Sequence, residues 1–249
     1  MAHQIGLIKI SGKLNDLSFF KSKYGYIVRT KGGASGTRIK TDPAFARTRE
    51  NNQEFAEMNH AGKWIRTSLR NITANESDAL VVSRMVKQLA QVIKLDISNL
   101  RGNRKVGVGL STVEGKAHLK GFNFNIESVL SQVLKSNYHV DIARGVVRIP
   151  DFIPQQDLVC PSGATHCSIE AAWSKIDFMT GAFNSSKSPV VTLTLDLTPT
   201  EVVLNPTQLP TGAGILFVVL KVSFLQEVNG QLYPLKNGVM NAIELVSIS

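Results

Sequence analysis

The sequence predicts an α+β fold, in which an N-terminal β-hairpin arm and an antiparallel helix pair are followed by an antiparallel β-sandwich. Three observations predict it. Lysine and arginine crowd the first forty positions among short alternating apolar stretches, and apolar residues then recur at helical spacing to about residue 93. From Val106 onward the pattern changes to short runs rich in Val, Leu, Thr and Phe separated by turn residues. The resulting division is a basic hairpin arm over residues 1–40, a helical hairpin over 41–105 and a sandwich over 106–249.

In the arm, Ile5, Leu7, Ile8 and Ile10, and then Leu17, Phe19, Tyr24, Tyr26 and Val28, read as two or three short strands broken at Gly12, Asn15 and Asp16. Lys21-Ser22-Lys23-Tyr24-Gly25 supplies turn chemistry, which sets Phe19 or Phe20 across from Tyr24 or Tyr26 on a basic hairpin. Residues 31–37 are small and glycine-rich, the composition of a flexible connector.

Thr41-Asp42-Pro43 is a helix start, a capping side chain ahead of a proline whose fixed φ suits the first turn. Phe55, Met58, Ile65, Leu69 and Ile72 lie on one helical face, predicting a helix over 43–72 with a bend at Gly62. Asn75 or Ser77 then caps a second amphipathic helix carrying Leu80, Val81, Met85, Leu89, Val92 and Ile93. Two helices joined by a short polar turn pack antiparallel.

Beyond this, the expected strands are 106–110, 117–124, 138–142, 145–149, 165–177, 190–204, 214–228 and 239–248, with a short helix at 126–134. Asn229-Gly230 marks a hairpin. Strands at short intervals with prolines in the connections favour a sandwich over a closed barrel.

Charge is distributed unevenly. Of the net +9, residues 1–105 hold 19 Lys and Arg against 8 Asp and Glu, while 106–249 hold 9 against 11. Such an arm attracts a polyanion or an acidic protein face, although lysines also keep an extended arm soluble and block edge-to-edge strand pairing.

Motifs for chemistry fail on inspection. Gly109 to Ala117 has one residue too many for a phosphate loop and lacks the magnesium-binding hydroxyl; Gly32-Gly33-Ala34-Ser35-Gly36 has no Lys-Ser/Thr ending, and Gly107-Val108-Gly109 lacks the third glycine of a dinucleotide site. Cys160, His166 and Cys167 include adjacent residues that face opposite sides of a strand, so a buried thiol and a surface histidine is the favoured reading over zinc. No serine sits in a nucleophile elbow, and Asp141, Asp151, Asp157 and Asp177 read as turn caps. Accordingly no enzyme activity, cofactor or metal is expected. With no signal peptide and no apolar run long enough to span a membrane, a cytoplasmic location is expected.

Phe45 and Phe55 stand among Arg47, Arg49, Glu50 and Glu54, a pattern able to pack one face while charged groups pair between subunits. Gly12-Lys13-Leu14-Asn15-Asp16-Leu17-Ser18-Phe19-Phe20-Lys21, Gly25-Tyr26-Ile27-Val28-Arg29 and Asp42-Pro43-Ala44-Phe45-Ala46-Arg47-Thr48-Arg49-Glu50-Asn51 resemble the N-terminal signature of uncharacterised bacterial and phage-associated domain-of-unknown-function proteins. The resemblance covers about the first quarter of the chain. It implies no activity, carries no catalytic or binding residue across, and leaves the sandwich unassigned.

The function expected is a non-enzymatic structural or self-assembly subunit: a homo-oligomer, filament or phage-like particle component whose arm makes the intersubunit contacts. The alternative is a nucleic-acid-binding protein whose hairpin follows phosphates, and an enzyme in the sandwich cleft ranks third. The interaction residues expected for assembly or phosphate binding are Lys21, Lys23, Tyr24, Tyr26, Arg29, Lys31, Arg38, Arg47, Arg49 and Glu50. The partners expected are further copies of the chain, with nucleic acid or an acidic protein as the alternatives.

Overall fold

Two tight turns fold the basic N-terminal stretch into a sheet. In the computed structural model, which describes residues 2–30, 32–74, 76–235 and 241–249, Asn15 adopts φ 49° between β2 (Gly12–Leu14) and β3 (Leu17–Ser22). Gly25, at φ 103°, opens β4 (Gly25–Thr30). With β1 (Ala2–His3) these strands form an antiparallel sheet in the order β1-β4-β3-β2. The chain divides into two compact units, Met1–Arg49 and Glu50–Ser249, and this sheet belongs to the first.

Two expectations for the arm are corrected. Residues 4–11 are not a strand: the Gln4 carboxamide donates to the Ile10 carbonyl (3.1 Å) and accepts from its N–H (2.8 Å), satisfying the backbone of a closed loop. The aromatic residues do not face one another either, because the register sets Phe20 opposite Ile27 and Lys21 opposite Tyr26, with Tyr24 in the turn. Of the expected connector, residues 32–35 are in neither helix nor strand, and a helix begins at its last two residues. Ser35 caps α1 (Gly36–Thr41), and Asp42 caps a 3-10 turn over Pro43–Phe45 by accepting from the Ala44 N–H (2.9 Å). The expected interaction residue Lys31 and the candidate cap Asn75 lie outside the described residues.

Helix α2 (Ala46–Ser68) is unbroken through Gly62. A β-carbon at Gly62 would touch Leu89 and Arg66 at 3.3 Å, so the glycine sits at a close helix contact. After α3 (Arg70–Thr73), α4 (Val81–Val92) is started by Asp78, which accepts from the Leu80 N–H (2.7 Å), whereas Ser77 donates back to the Thr73 carbonyl.

The expected strands at 106–110 and 117–124 are contradicted by α5 (Val106–Leu110) and α6 (Val113–Leu119). Val106 and Leu110 recur at a spacing of four and are buried, and Thr112 caps α6 by accepting from the Gly115 N–H (3.0 Å). A β-carbon on Gly109 would sit 2.1 Å from the Val92 carbonyl oxygen, and one on Gly115 2.0 Å from that of Gly109. These glycines permit backbone contact between helices, which is why the segment looked like a phosphate loop.

The remaining helices are α7 (Leu130–Val133) and α8 (Pro154–Asp157). The strands of the second unit are β5 (His139–Asp141), β6 (Val146–Phe152), β7 (His166–Ile176), β8 (Phe183–Lys187), β9 (Val191–Thr194), β10 (Thr200–Leu204), β11 (Ile215–Val228), β12 (Gln231–Pro234) and β13 (Ala242–Ile248). The single strand expected over 190–204 is two strands in different sheets. Pro199, which has no N–H to give a ladder, lies between them; β9 pairs with β7 and β10 with β6.

The architecture is mixed helix and antiparallel sheet. Long strands β7 and β11 pair over eleven positions at the centre of a six-stranded sheet, and β10-β6-β5 form a smaller one. Period-two alternation sends Cys167, Ile169, Ala171 and Trp173 to one face of β7 and Ala172 and Ile176 to the other. The first face packs with Val147, Ile149 and Phe152 of β6 and Val202 and Leu204 of β10. The second packs with Ile65, Leu69, Met85, Leu89 and Leu110 of the helices. The large sheet is thus covered on both sides, which explains its near-continuous apolar strands. Asn229 (φ 53°) and Gly230 (φ 76°) make the tight turn from β11 to β12 that their dipeptide signals.

Candidate interaction surface

The hairpin β3–β4 gathers five of the expected interaction residues. Ser22 pairs with Gly25, and its hydroxyl accepts from the Tyr24 N–H (3.1 Å) and donates to the Gly25 carbonyl (3.2 Å), so Lys23 and Tyr24 project at the tip. Lys23 Nζ sits 4.8 Å from the Tyr24 ring centre, Lys21 Nζ 5.8 Å from that of Tyr26, and the Arg29 guanidinium 5.3 Å from that of Phe20. Each such pair at an exposed site contributes about 0.5–1 kcal/mol. Among the described residues, Lys21, Lys23 and Arg29 make no ion pair. The hairpin therefore presents cations lying over aromatic faces and available to an outside anion.

Arg38 and Arg49 do different work. Arg38 Nε bonds Asp42 Oδ2 (2.9 Å) with its guanidinium 5.6 Å from the Phe45 ring centre, and Arg49 Nη1 donates to the carbonyls of Ile39 (2.8 Å) and Asp42 (2.9 Å). The Ala44 N–H bond, followed by Arg38 and then Arg49, holds the Asp42 carboxyl below the usual carboxylate range. Both arginines are therefore committed to the segment that leads into α2. Arg47 is exposed on α2, and Glu50 lies 3.6 Å from Arg101.

The residues that sequence reasoning missed are aliphatic. In the loop closed by Gln4, Ile5 and Ile8 are 91% and 85% exposed and Leu7 is fully exposed, with Ile10 and Leu14 also in water. Among the described residues of the first unit, Ile27 is the single buried apolar side chain. Alternation made Ile5 to Ile10 look like a half-buried strand.

Unit Met1–Arg49 also carries most of the charge. It holds ten Lys and Arg against Asp16 and Asp42, so +8 of the chain's +9 lies there.

The Cys160, His166 and Cys167 group lies at the start of β7 and just before it. Burial, followed by the neighbouring Cys160 thiol, pushes the Cys167 thiol up to about 12; His166 lies 3.9 Å from Glu227. Among the described residues, no group of three or more His, Cys, Asp and Glu is placed to hold a metal ion. No helix among them is long and apolar enough to cross a membrane.

The chain matches no protein-family model, no curated protein sequence and no solved structure.

Proposed function

We propose that this protein is a non-enzymatic assembly subunit whose N-terminal unit docks on a further copy of the chain. The observation that carries this reading is a four-stranded sheet with one buried apolar side chain and a loop that holds Ile5, Leu7 and Ile8 in water. A sheet of this size needs an apolar face covered to be stable, and exposed aliphatic groups of this kind mark interaction sites. The surrounding cations add steering and specificity toward an acidic face. Particle or filament membership, and the kinship with phage-associated proteins that the N-terminal signature suggests, belong to the same proposal.

The test is self-association by sedimentation velocity, comparing the native chain with Leu7→Ser and Ile8→Ser. Burying one such side chain is worth about 1.5–3 kcal/mol, so each change weakens association about 10- to 100-fold. Because both residues are exposed in the single chain, the melting temperature of the dissociated chain at high dilution stays the same. Unchanged association in both variants contradicts the reading.

A second reading, nucleic-acid binding, is favoured by the unpaired cations Lys21, Lys23 and Arg29 over aromatic rings. It requires affinity for single-stranded DNA that falls steeply with salt and is abolished by charge reversal at these three positions. The aliphatic loop has no role in it, and Lys21 and Lys23 already cover a face of Tyr26 and Tyr24.

A further inference from the structure

A cavity of about 680 Å³ opens in the second unit between the end of β13, the stretch from α7 into β5 and Lys120 after α6. That is the size of sites that hold drug-sized ligands, roughly 300–1,000 Å³. Its lining includes Lys120, Lys135, Ser136, Asn137, Tyr138 and Glu244, over apolar patches from Leu134, Val140 and Val246.

The polar groups there are placed without partners for their charge. Glu244 sits half-buried on β13, opposite Leu220, and among the described residues none of Glu244, Lys120 and Lys135 makes an ion pair. Burial pushes the Glu244 carboxyl up, against the opposing effect of a hydrogen bond from Asn123. Tyr138 lines the same cavity as Glu244 and is pushed up by its own burial and then by the Glu244 charge. Its ring is held against the core shared by the two sheets. Polar groups lining a recess of this size are open to an occupant that hydrogen-bonds them in place of water.

The chemistry selects the occupant. Hydroxyls, a carboxamide, a phenol and a carboxyl beside apolar patches suit a molecule with many hydroxyls on C–H faces, and two unpaired ammonium groups suit an acid on that molecule. A glycosidase needs two carboxyl groups flanking the bond it breaks, and Glu244 is the one carboxyl among the lining residues. We propose that this cavity binds, without cleaving, a short saccharide carrying a carboxylate, its acid held by Lys120 and Lys135 and its hydroxyls by Glu244, Tyr138 and Asn137.

The test is isothermal titration of the full chain with trigalacturonate, neutral maltotriose and free glutamate. Trigalacturonate saturates the site, and Glu244→Gln and Lys135→Met each weaken it about tenfold, the scale of one charged hydrogen bond. Maltotriose binds at least about tenfold more weakly than trigalacturonate. Lys135 is exposed, so its replacement leaves the fold intact and the result readable even if Glu244→Gln perturbs packing. No saturable binding of trigalacturonate overturns the proposal, as do equal binding of maltotriose and full affinity in Lys135→Met. Preference for glutamate over trigalacturonate also overturns it, and assigns the cavity to a zwitterion.

Discussion

Asp96 is fully buried just after α4, and its carboxylate organises the loop that follows. Oδ1 accepts from the Ser98 N–H (3.0 Å), the Ser98 hydroxyl (2.7 Å) and the Asn99 N–H (3.0 Å). Oδ2 accepts from Asn99 Nδ2 (2.8 Å) and the Lys105 N–H (2.7 Å). The loop so fixed brings Arg101, Arg104 and Lys105 within 3.6, 3.9 and 3.3 Å of Glu50, Glu54 and Glu57 along α2. In Asp96→Asn an amide N–H replaces Oδ2 and meets two donors. Bonds to a charged acceptor are worth about 1.5–3 kcal/mol each, so the loss is about 3 kcal/mol after the loop relaxes. Burial alone pushes the Asp96 carboxyl up, but the bonds from Asn99, Lys105 and Ser98 overcome it and hold the group well below the ordinary carboxylate range. A carboxyl depressed on folding contributes its stability above its unfolded value, near 3.9, and loses it as pH falls toward the folded value. Urea unfolding followed by tryptophan fluorescence at pH 7 and pH 3 reads both effects. The variant should trail the native chain by about 3 kcal/mol at pH 7, with a smaller gap at pH 3. Equal midpoints at pH 7, or a gap that does not shrink in acid, would refute the reasoning.

Other outcomes follow from the same structure. Gly109→Ala sets a methyl 2.1 Å from the Val92 carbonyl oxygen and should cost about 2 kcal/mol or more in denaturant unfolding, whereas Gly62→Ala, facing the movable ends of Leu89 and Arg66 at 3.3 Å, should cost less. Cys167, buried and pushed up to about 12, should resist a thiol reagent at pH 8 until denaturant is added; rapid native labelling at that position contradicts its placement.

What was legible in the sequence was whatever depends on local chemistry. Asn229-Gly230 specified its turn, Asp42-Pro43 the approach to α2, and the apolar runs at 166–176 and 215–228 the two central strands. The segment 106–119 misled because its β-branched residues suit a strand and its glycines disfavour a helix, whereas the glycines serve close helix contacts set by distant partners such as Val92. Alternation at Ile5 to Ile10 gave way to a loop because the Gln4 side chain satisfies backbone groups that a neighbouring strand would otherwise take. Of the expected interaction residues, the sequence grouped Lys21, Lys23, Tyr24, Tyr26 and Arg29. It gave no sign that Arg38 and Arg49 bond to their own segment, since those partners are fixed by the turn at Asp42.

The most direct measurement is the mass of the native particle by sedimentation equilibrium across concentration. A chain of 27.2 kDa that completes its N-terminal unit on a neighbour sediments as multiples of that mass, and the multiples persist in high salt because aliphatic contacts carry them. A single 27.2 kDa species at every concentration would mean that Ile5, Leu7 and Ile8 stay in water, and would contradict the account.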